Sequence, residues 1–279
     1  MRSIVRIAHT VCAMFECYAV HHKGSRARRR GAHMGEERRT TVQSVMRACQ
    51  VLDVLKNASR PMTARHIGEV AGLDRTVTYR LLCSLKAGQL ACDVGGEWHL
   101  DVGALDLGFA YLNRLSFPSV APAYAMDLYN RVVRGNPWVV SLGVPVGDHV
   151  MLIDRFWTED SPLNATVSVG TRIRMDTSAT GLAILSRMTK SDGQNCLGAD
   201  LYNSVLPSIE EVRDNGHIGI VRDTLRPGSS AIAAAVCDRD GRVVGAVNIS
   251  GLDMEEYLTP HSTLAQHVER TAVAISSAL

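Results

Sequence analysis

Residues 63–100, TARHIGEVAGLDRTVTYRLLCSLKAGQLACDVGGEWHL, constrain the fold more than any other stretch. Two short helical patterns joined by Ala71, Gly72, Leu73 and Asp74 run directly into a Gly95-Gly96 hairpin, the order helix, turn, helix, wing. Thr63 can cap the first helix, whose Ile67, Val70 and Ala71 share a face; Asp74 can cap the second, where Val77, Leu81, Leu82 and Leu85 recur at helical spacing. With the apolar face so occupied, Arg75, Thr76, Thr78, Tyr79 and Arg80 are left on the outside at the start of the second helix. These short hydrogen-bonding and cationic side chains suit base edges and phosphates, so double-stranded DNA is the expected partner. Gly88 is expected to close the helix in the left-handed conformation. Residues 90–93 and 98–100 then form the strands of the wing.

A chain of 279 residues is long enough for two domains, each with its own core. Charge divides it unevenly: residues 1–39 carry 9 basic and 3 acidic side chains, 40–115 carry 8 and 7, and 116–279 carry 13 and 18. The basic end fits nucleic-acid binding and the acidic remainder a different task, but a surplus of one over 40–115 calls for two or more copies on one DNA. Cysteines 12, 17, 49, 83, 92, 196 and 237 are odd in number and never form a C-x-x-C pair, which points to a reducing, cytoplasmic setting and to no metal site. Cys49 and Cys83 fall in apolar helical patterns and are expected in the core. No apolar run approaches the roughly 18 residues of a membrane span, and no cofactor motif is present.

Residues 1–39 read as a disordered basic extension with Met34 as an alternative start. Residues 40–101 read as the DNA-binding domain, opened by a helix with Thr40 and Gln43 as a capping box and an apolar stripe of Val42, Val45, Met46, Cys49, Leu52 and Leu55. Residues 102–119 read as a linker helix ended by Phe117-Pro118-Ser119 and Pro122. From 120 to 279 the pattern becomes α+β. Helices are expected over 123–133, 181–187 and 209–215, and strands over 138–144, 149–156, 166–169, 218–221, 231–237 and 243–250. Leu264, Val268, Ala272 and Ile275 share one face of a closing helix. An antiparallel sheet flanked by helices suits a small-molecule sensor.

Several blocks in order resemble the IclR family of bacterial transcriptional regulators: SVMRACQVLDVL at 44–55, TVTYRLLCSLKAGQL at 76–90, VGTRIRMDTSATGLAILS at 169–186, SSAIAAAVCDRDGRVVGAVNISG at 229–251, and the closing helix. The resemblance implies a GAF-like effector-binding domain behind a winged helix-turn-helix, and homodimers that often pair into tetramers. It places effector contacts at Ala179, Thr180, Asp223, Ala231, Asn248 and Ser250. Some family members carry cysteine or another polar group where Ala231 stands and serine where Asn248 stands, which favours an organic acid other than the smallest oxoacid. Independently of the resemblance, unpaired amides of a helix starting after Ser178 would attract a carboxylate. Two other readings compete: an architectural winged-helix protein without ligand, and an enzyme using Ser178, His217 and Asp223 as a hydrolytic set. The second lacks a G-x-S-x-G elbow.

Overall fold

A computed structural model describes residues 41–158, 168–223 and 227–279. The expected basic extension and Thr40 of the capping pair lie outside the described residues. Two compact units divide the chain between Leu105 and Asp106.

In the first unit, α1 (Gln43–Asn57) buries Val51 and Leu55. Val42 occupies the N-cap without a side-chain bond, and Val42, Val45 and Met46 are exposed, so the buried stripe begins later than expected. β1 (Met62–Thr63) leads into α2 (Ala64–Ala71), capped by Thr63 Oγ1, which accepts from the His66 amide at 3.3 Å. Gly72 at φ 67° ends it. α3 (Arg75–Ala87) is capped by Asp74, whose Oδ1 accepts from the Thr76 amide at 2.8 Å. Gly88 does not take the left-handed conformation: its φ is −86°, and Gln89 reverses the chain at φ 59°. The wing is β2 (Ala91–Val94) and β3 (Glu97–Leu100) around Gly95 and Gly96, both at positive φ as a two-residue hairpin turn requires. β1 adds a third strand against β3, pairing Met62 with Trp98. Val51, Leu55, Ile67, Leu82, Leu85, Ala91 and Trp98 make the core. Cys49 and Cys83 are exposed rather than buried in it, because the buried rows of α1 and α3 pass one position beside them.

Helix α4 (Val102–Leu112) follows and buries none of its residues. The segment expected to break it starts a helix instead: α5 (Phe117–Leu128) has Pro118 in its first turn, where the missing N–H has no intrahelical partner to lose. A π-helical turn, Tyr129–Val133, continues it.

The second unit is built on one antiparallel sheet in the order β6-β5-β4-β9-β8-β7. Its strands are β4 (Trp138–Val146), β5 (His149–Trp157), β6 (Arg172–Arg174), β7 (Ile218–Val221), β8 (Ser229–Cys237) and β9 (Val243–Leu252). Of the strand expected at 166–169, Thr166 and Val167 are outside the described residues and Ser168 and Val169 are not in a strand; β6 follows instead. One face of the sheet, with Val140, Leu142, Ile232, Val247 and Ile249, packs against α5 and the closing helix α9 (Thr263–Ala278). Leu264, Val268, Ala272 and Ile275 are all buried there, as their spacing predicts.

The other face receives α6 (Ala179–Arg187), in which every residue from Ala179 to Ser186 is buried. α7 (Lys190–Leu197) and α8 (Ala199–Asp214) follow it. α8 contributes Tyr202, Ile209 and Val212 to a second core with Leu182, Ile184 and Leu185 of α6. Small residues let α6 lie close on the sheet: Ala179 and Ala183 meet Ala231 and Ala233, and a Cβ on Gly219 would come within 2.1 Å of the Ala179 carbonyl. That close approach fixes where the first turn of α6 points.

Candidate functional site

The exposed start of α3 comes from its cap. Asp74 holds the first amides, and the helix then turns Arg75, Thr76, Tyr79 and Arg80 outward. Neither arginine has an acidic partner among the described residues. Thr78, expected among them, is fully buried. Its Oγ1 donates to the Asp74 carbonyl at 2.9 Å, and a Cβ on Gly68 would lie 2.9 Å from that oxygen, so Thr78 seats α3 on α2 rather than facing outward. Tyr79 stands edge-on to Trp98 at 6.4 Å between centroids. Its hydroxyl hydrogen-bonds with Cys83 one turn on, which pushes its pKa up. Lys86 lies 5.8 Å from the Trp98 centroid and 3.9 Å from Asp93, fastening the wing to α3. The outer surface is a helix start beside a hairpin, the arrangement by which such modules enter a major groove.

In the second unit, a cavity of about 50 Å³ lies where the first turn of α6 meets the sheet. Ala179, Thr180, Ala231, Asn248 and Ser250 line it with Ser178, and so do Ser141, Leu152, Ile173 and Thr177, which the sequence alone did not single out. Strand register brings them together: Asn248 pairs with Ser141 on one side and Ala233 on the other, and Ser250 with Val139 and Ala231. Among the described residues no charged side chain lines the cavity. Ser178 Oγ accepts from the Gly181 amide at 3.1 Å and donates to the Arg174 carbonyl at 2.7 Å. Gly181 is therefore engaged, and the Ala179 and Thr180 amides are the ones that α6 leaves for an anion. Asn248 is 6% exposed and its Oδ1 has no hydrogen-bond partner. Arg155, opposite Ser141 in the sheet, stacks on Trp157 at 4.2 Å, and burial pushes its pKa down.

Asp223 is not at this cavity. It is exposed, at φ 54°, and its Oδ1 accepts from the Gly228 amide at 2.6 Å, so the carboxylate closes its own loop. The imagined hydrolytic set is likewise dispersed. His217 Nδ1 lies 3.0 Å from Ser186 Oγ, and Ser178 and Asp223 have the other partners just described. Burial, then the positive charges of Arg187 and Arg213, push the His217 pKa down. Among the described residues no group of three or more His, Cys, Asp or Glu could hold a metal ion, and no helix is long and apolar enough to cross a membrane.

Comparison with known proteins matches both halves of this arrangement. Residues 44–90 fit the IclR helix-turn-helix domain, and residues 123–277 fit the bacterial transcriptional regulator IclR C-terminal domain. The chain belongs to the IclR family. The HTH-type transcriptional repressor AllR of Salmonella paratyphi A is 25% identical over 252 residues, covering 85% of this chain and 90% of the repressor. An IclR family transcriptional regulator from Brucella abortus shares the fold with a TM-score of 0.68 at 18% identity, over 89% of this chain and 97% of its own. An IclR homologue from Microbacterium hydrocarbonoxydans, solved in complex with 4-hydroxybenzoate, superposes with a TM-score of 0.66 at 17% identity, over 84% and 98%. IclR proteins are transcriptional regulators and not enzymes, and this chain is a DNA-binding regulator of that kind.

Proposed function

We propose that this protein is a ligand-responsive transcriptional repressor that binds a pseudo-palindromic operator as a homodimer or tetramer and senses a small organic acid. The observation that carries the sensing half is the cavity at the start of α6, lined both by the first turn of that helix and by Asn248, whose buried Oδ1 has no hydrogen-bond partner. A carboxylate fits such amides without a lysine or arginine, because the helix start is itself electropositive. Ala179, Thr180, Ala231, Asn248 and Ser250 are the effector contacts in this reading, and Asp223 is not. Arg75, Thr76, Tyr79 and Arg80 read the operator, while Thr78 holds the reading helix in place. In this reading the winged helix spans residues 40–101, the linker helix 102–119 and the sensor 120–279, while the two compact units part between Leu105 and Asp106.

Self-association is supported by α4, on which Leu105, Leu107, Phe109 and Tyr111 are each more than half exposed. An apolar helix with no buried residue is expected to find a partner, and the weak positive charge of the DNA-binding unit calls for two copies on one site. The AllR repressors support repression, and the 4-hydroxybenzoate complex supports an organic acid as effector class. The test is a thermal-shift screen of organic acids on the full chain, followed by gel mobility of promoter DNA with and without each hit. An acid that raises Tm and alters the DNA complex is expected. If no acid shifts Tm and none changes DNA binding, the sensing role is overturned.

A further inference from the structure

The polar groups around the cavity are not equivalent in what they ask of a ligand. The Ala179 and Thr180 amides can only donate, and the hydroxyls of Ser141, Thr180 and Ser250 can rotate to donate or accept. Asn248 is the fixed element. Its carboxamide sits in the middle of the sheet, held between Ser141 and Ala233 by the pairing of β9 with β4 and β8. It is 6% exposed, and its Oδ1 is an acceptor without a donor.

An oxo acid carries three oxygens and only acceptors. It can satisfy the helix amides and Nδ2, and it leaves Oδ1 as it found it. A 2-hydroxy acid places its carboxylate on the same amides and brings, one bond away, an O–H that donates to Oδ1 and an oxygen that accepts from Nδ2 or a serine. A buried site built to meet a hydroxyl discriminates strongly against the analogue that lacks it, because the site's own polar atom then stays unpaired. A space of about 50 Å³ holds a handful of non-hydrogen atoms, which favours a short chain.

Resting on the sensing role proposed above, we infer that the effector is a short 2-hydroxy carboxylic acid, and that Asn248 selects it over the corresponding 2-oxo acid. Asn248 is then a specificity residue, and the helix start supplies the carboxylate affinity common to both classes.

Calorimetry on the full-length protein with matched pairs tests this: lactate and pyruvate, 2-hydroxyisovalerate and 2-oxoisovalerate, mandelate and phenylglyoxylate. In every pair that binds, the hydroxy acid is expected to bind about tenfold to a hundredfold tighter, the range set by one buried acceptor gained or left unpaired. Asn248→Ser, whose hydroxyl can either donate or accept, is expected to bring the members of each pair within about threefold while keeping carboxylate binding. Equal affinities in the wild type, or tighter oxo acids, overturn the inference and leave the acid-sensing role standing. A hydroxy-acid preference undiminished in Asn248→Ser overturns the assignment to this residue. If no acid of either series binds, the inference is overturned, while the sensing role stands or falls by the broader acid screen.

Discussion

Replacing Asn248 with leucine is expected to stabilise the ligand-free protein and to abolish its response to acids. The side chain is 6% exposed, and its neighbours on the same sheet face include Ser141 at 2%, Ala233 at 0% and Ala231 at 6%. An unpaired buried acceptor there costs about 1–3 kcal/mol, and an apolar side chain of similar shape removes that cost. The cavity of about 50 Å³ gives the branched leucine tip room, so the overpacking penalty stays below the gain, and the net change is about +1 to +2 kcal/mol. For a domain of this size each kcal/mol raises Tm by roughly 2–4 °C, so a rise of about 2–8 °C is expected. Guanidinium unfolding supplies the free energy and calorimetry supplies Tm, with and without an acid that binds the wild type. The acid-induced shift is expected to vanish in the variant, while operator binding without ligand stays unchanged. If Asn248→Leu is instead less stable than the wild type by 1 kcal/mol or more, the carboxamide has a partner in the free protein and the reasoning is refuted.

Three further outcomes follow from the same geometry. Arg75→Ala and Tyr79→Ala are each expected to weaken operator binding by about 1–3 kcal/mol without changing dimerisation, whereas Thr78→Val is expected to lower folding stability by about 1 kcal/mol through loss of its bond to the Asp74 carbonyl; unchanged operator affinity in both alanine variants removes α3 from the groove. Footprinting is expected to show two half-sites about one helical turn, or a multiple of it, apart, and a single asymmetric half-site bound by a monomer contradicts the paired arrangement. His217 has a folded pKa below its ordinary value of 6.5, so the unfolded chain binds the extra proton first. Its contribution to stability is complete above about pH 6.5 and is lost as pH falls through the folded pKa. Denaturation midpoints between pH 5 and 8 are expected to show this fall and its loss in His217→Gln, and an identical pH profile for both proteins rules it out.

What was legible in the sequence is what short-range chemistry determines. Thr63 and Asp74 cap helices because their oxygens reach amides two or three residues on, and Gly95-Gly96 turns the wing because glycine adopts positive φ without steric cost. The buried row of α3 was displaced by one position for a comparable reason. Thr78, Leu82 and Leu85 form it, but a threonine does not register as apolar until the Asp74 carbonyl is seen to satisfy its hydroxyl. α7 was missed because KSDGQNCL has no apolar stripe; it stands on its Thr189 cap and on Gly193, where a Cβ would meet the Tyr202 ring within 2.3 Å. β6, only Arg172 to Arg174, is too short and too charged to announce itself, and it takes its conformation from β5.

The cavity was legible only in part because its defining property is burial, and burial of a polar strand residue is decided by what covers the sheet. Along β9, Val247 and Ile249 face α5 and α9, so alternation sends Asn248 and Ser250 to the opposite face. In a sheet with one wet face that pattern means solvent. Here α6 lies over it, and α6 gives little warning, because a helix buried from Ala179 to Ser186 has no polar side to reveal its orientation. Asp223 is the converse case: the sequence places it in a loop near the right strand, and the structure engages its Oδ1 with the Gly228 amide and leaves it off the cavity lining. Ser141 carried the better signal. It is the one polar residue within WVVSLGV, and it pairs in register with Asn248 across β4 and β9. Two polar side chains facing each other on adjacent central strands, each amid apolar neighbours, call for a match from each other, from bound water or from a ligand. Ser141 and Asn248 are 2% and 6% exposed, so bulk solvent does not match them, and a bound acid is what the proposed sensing role would set against them.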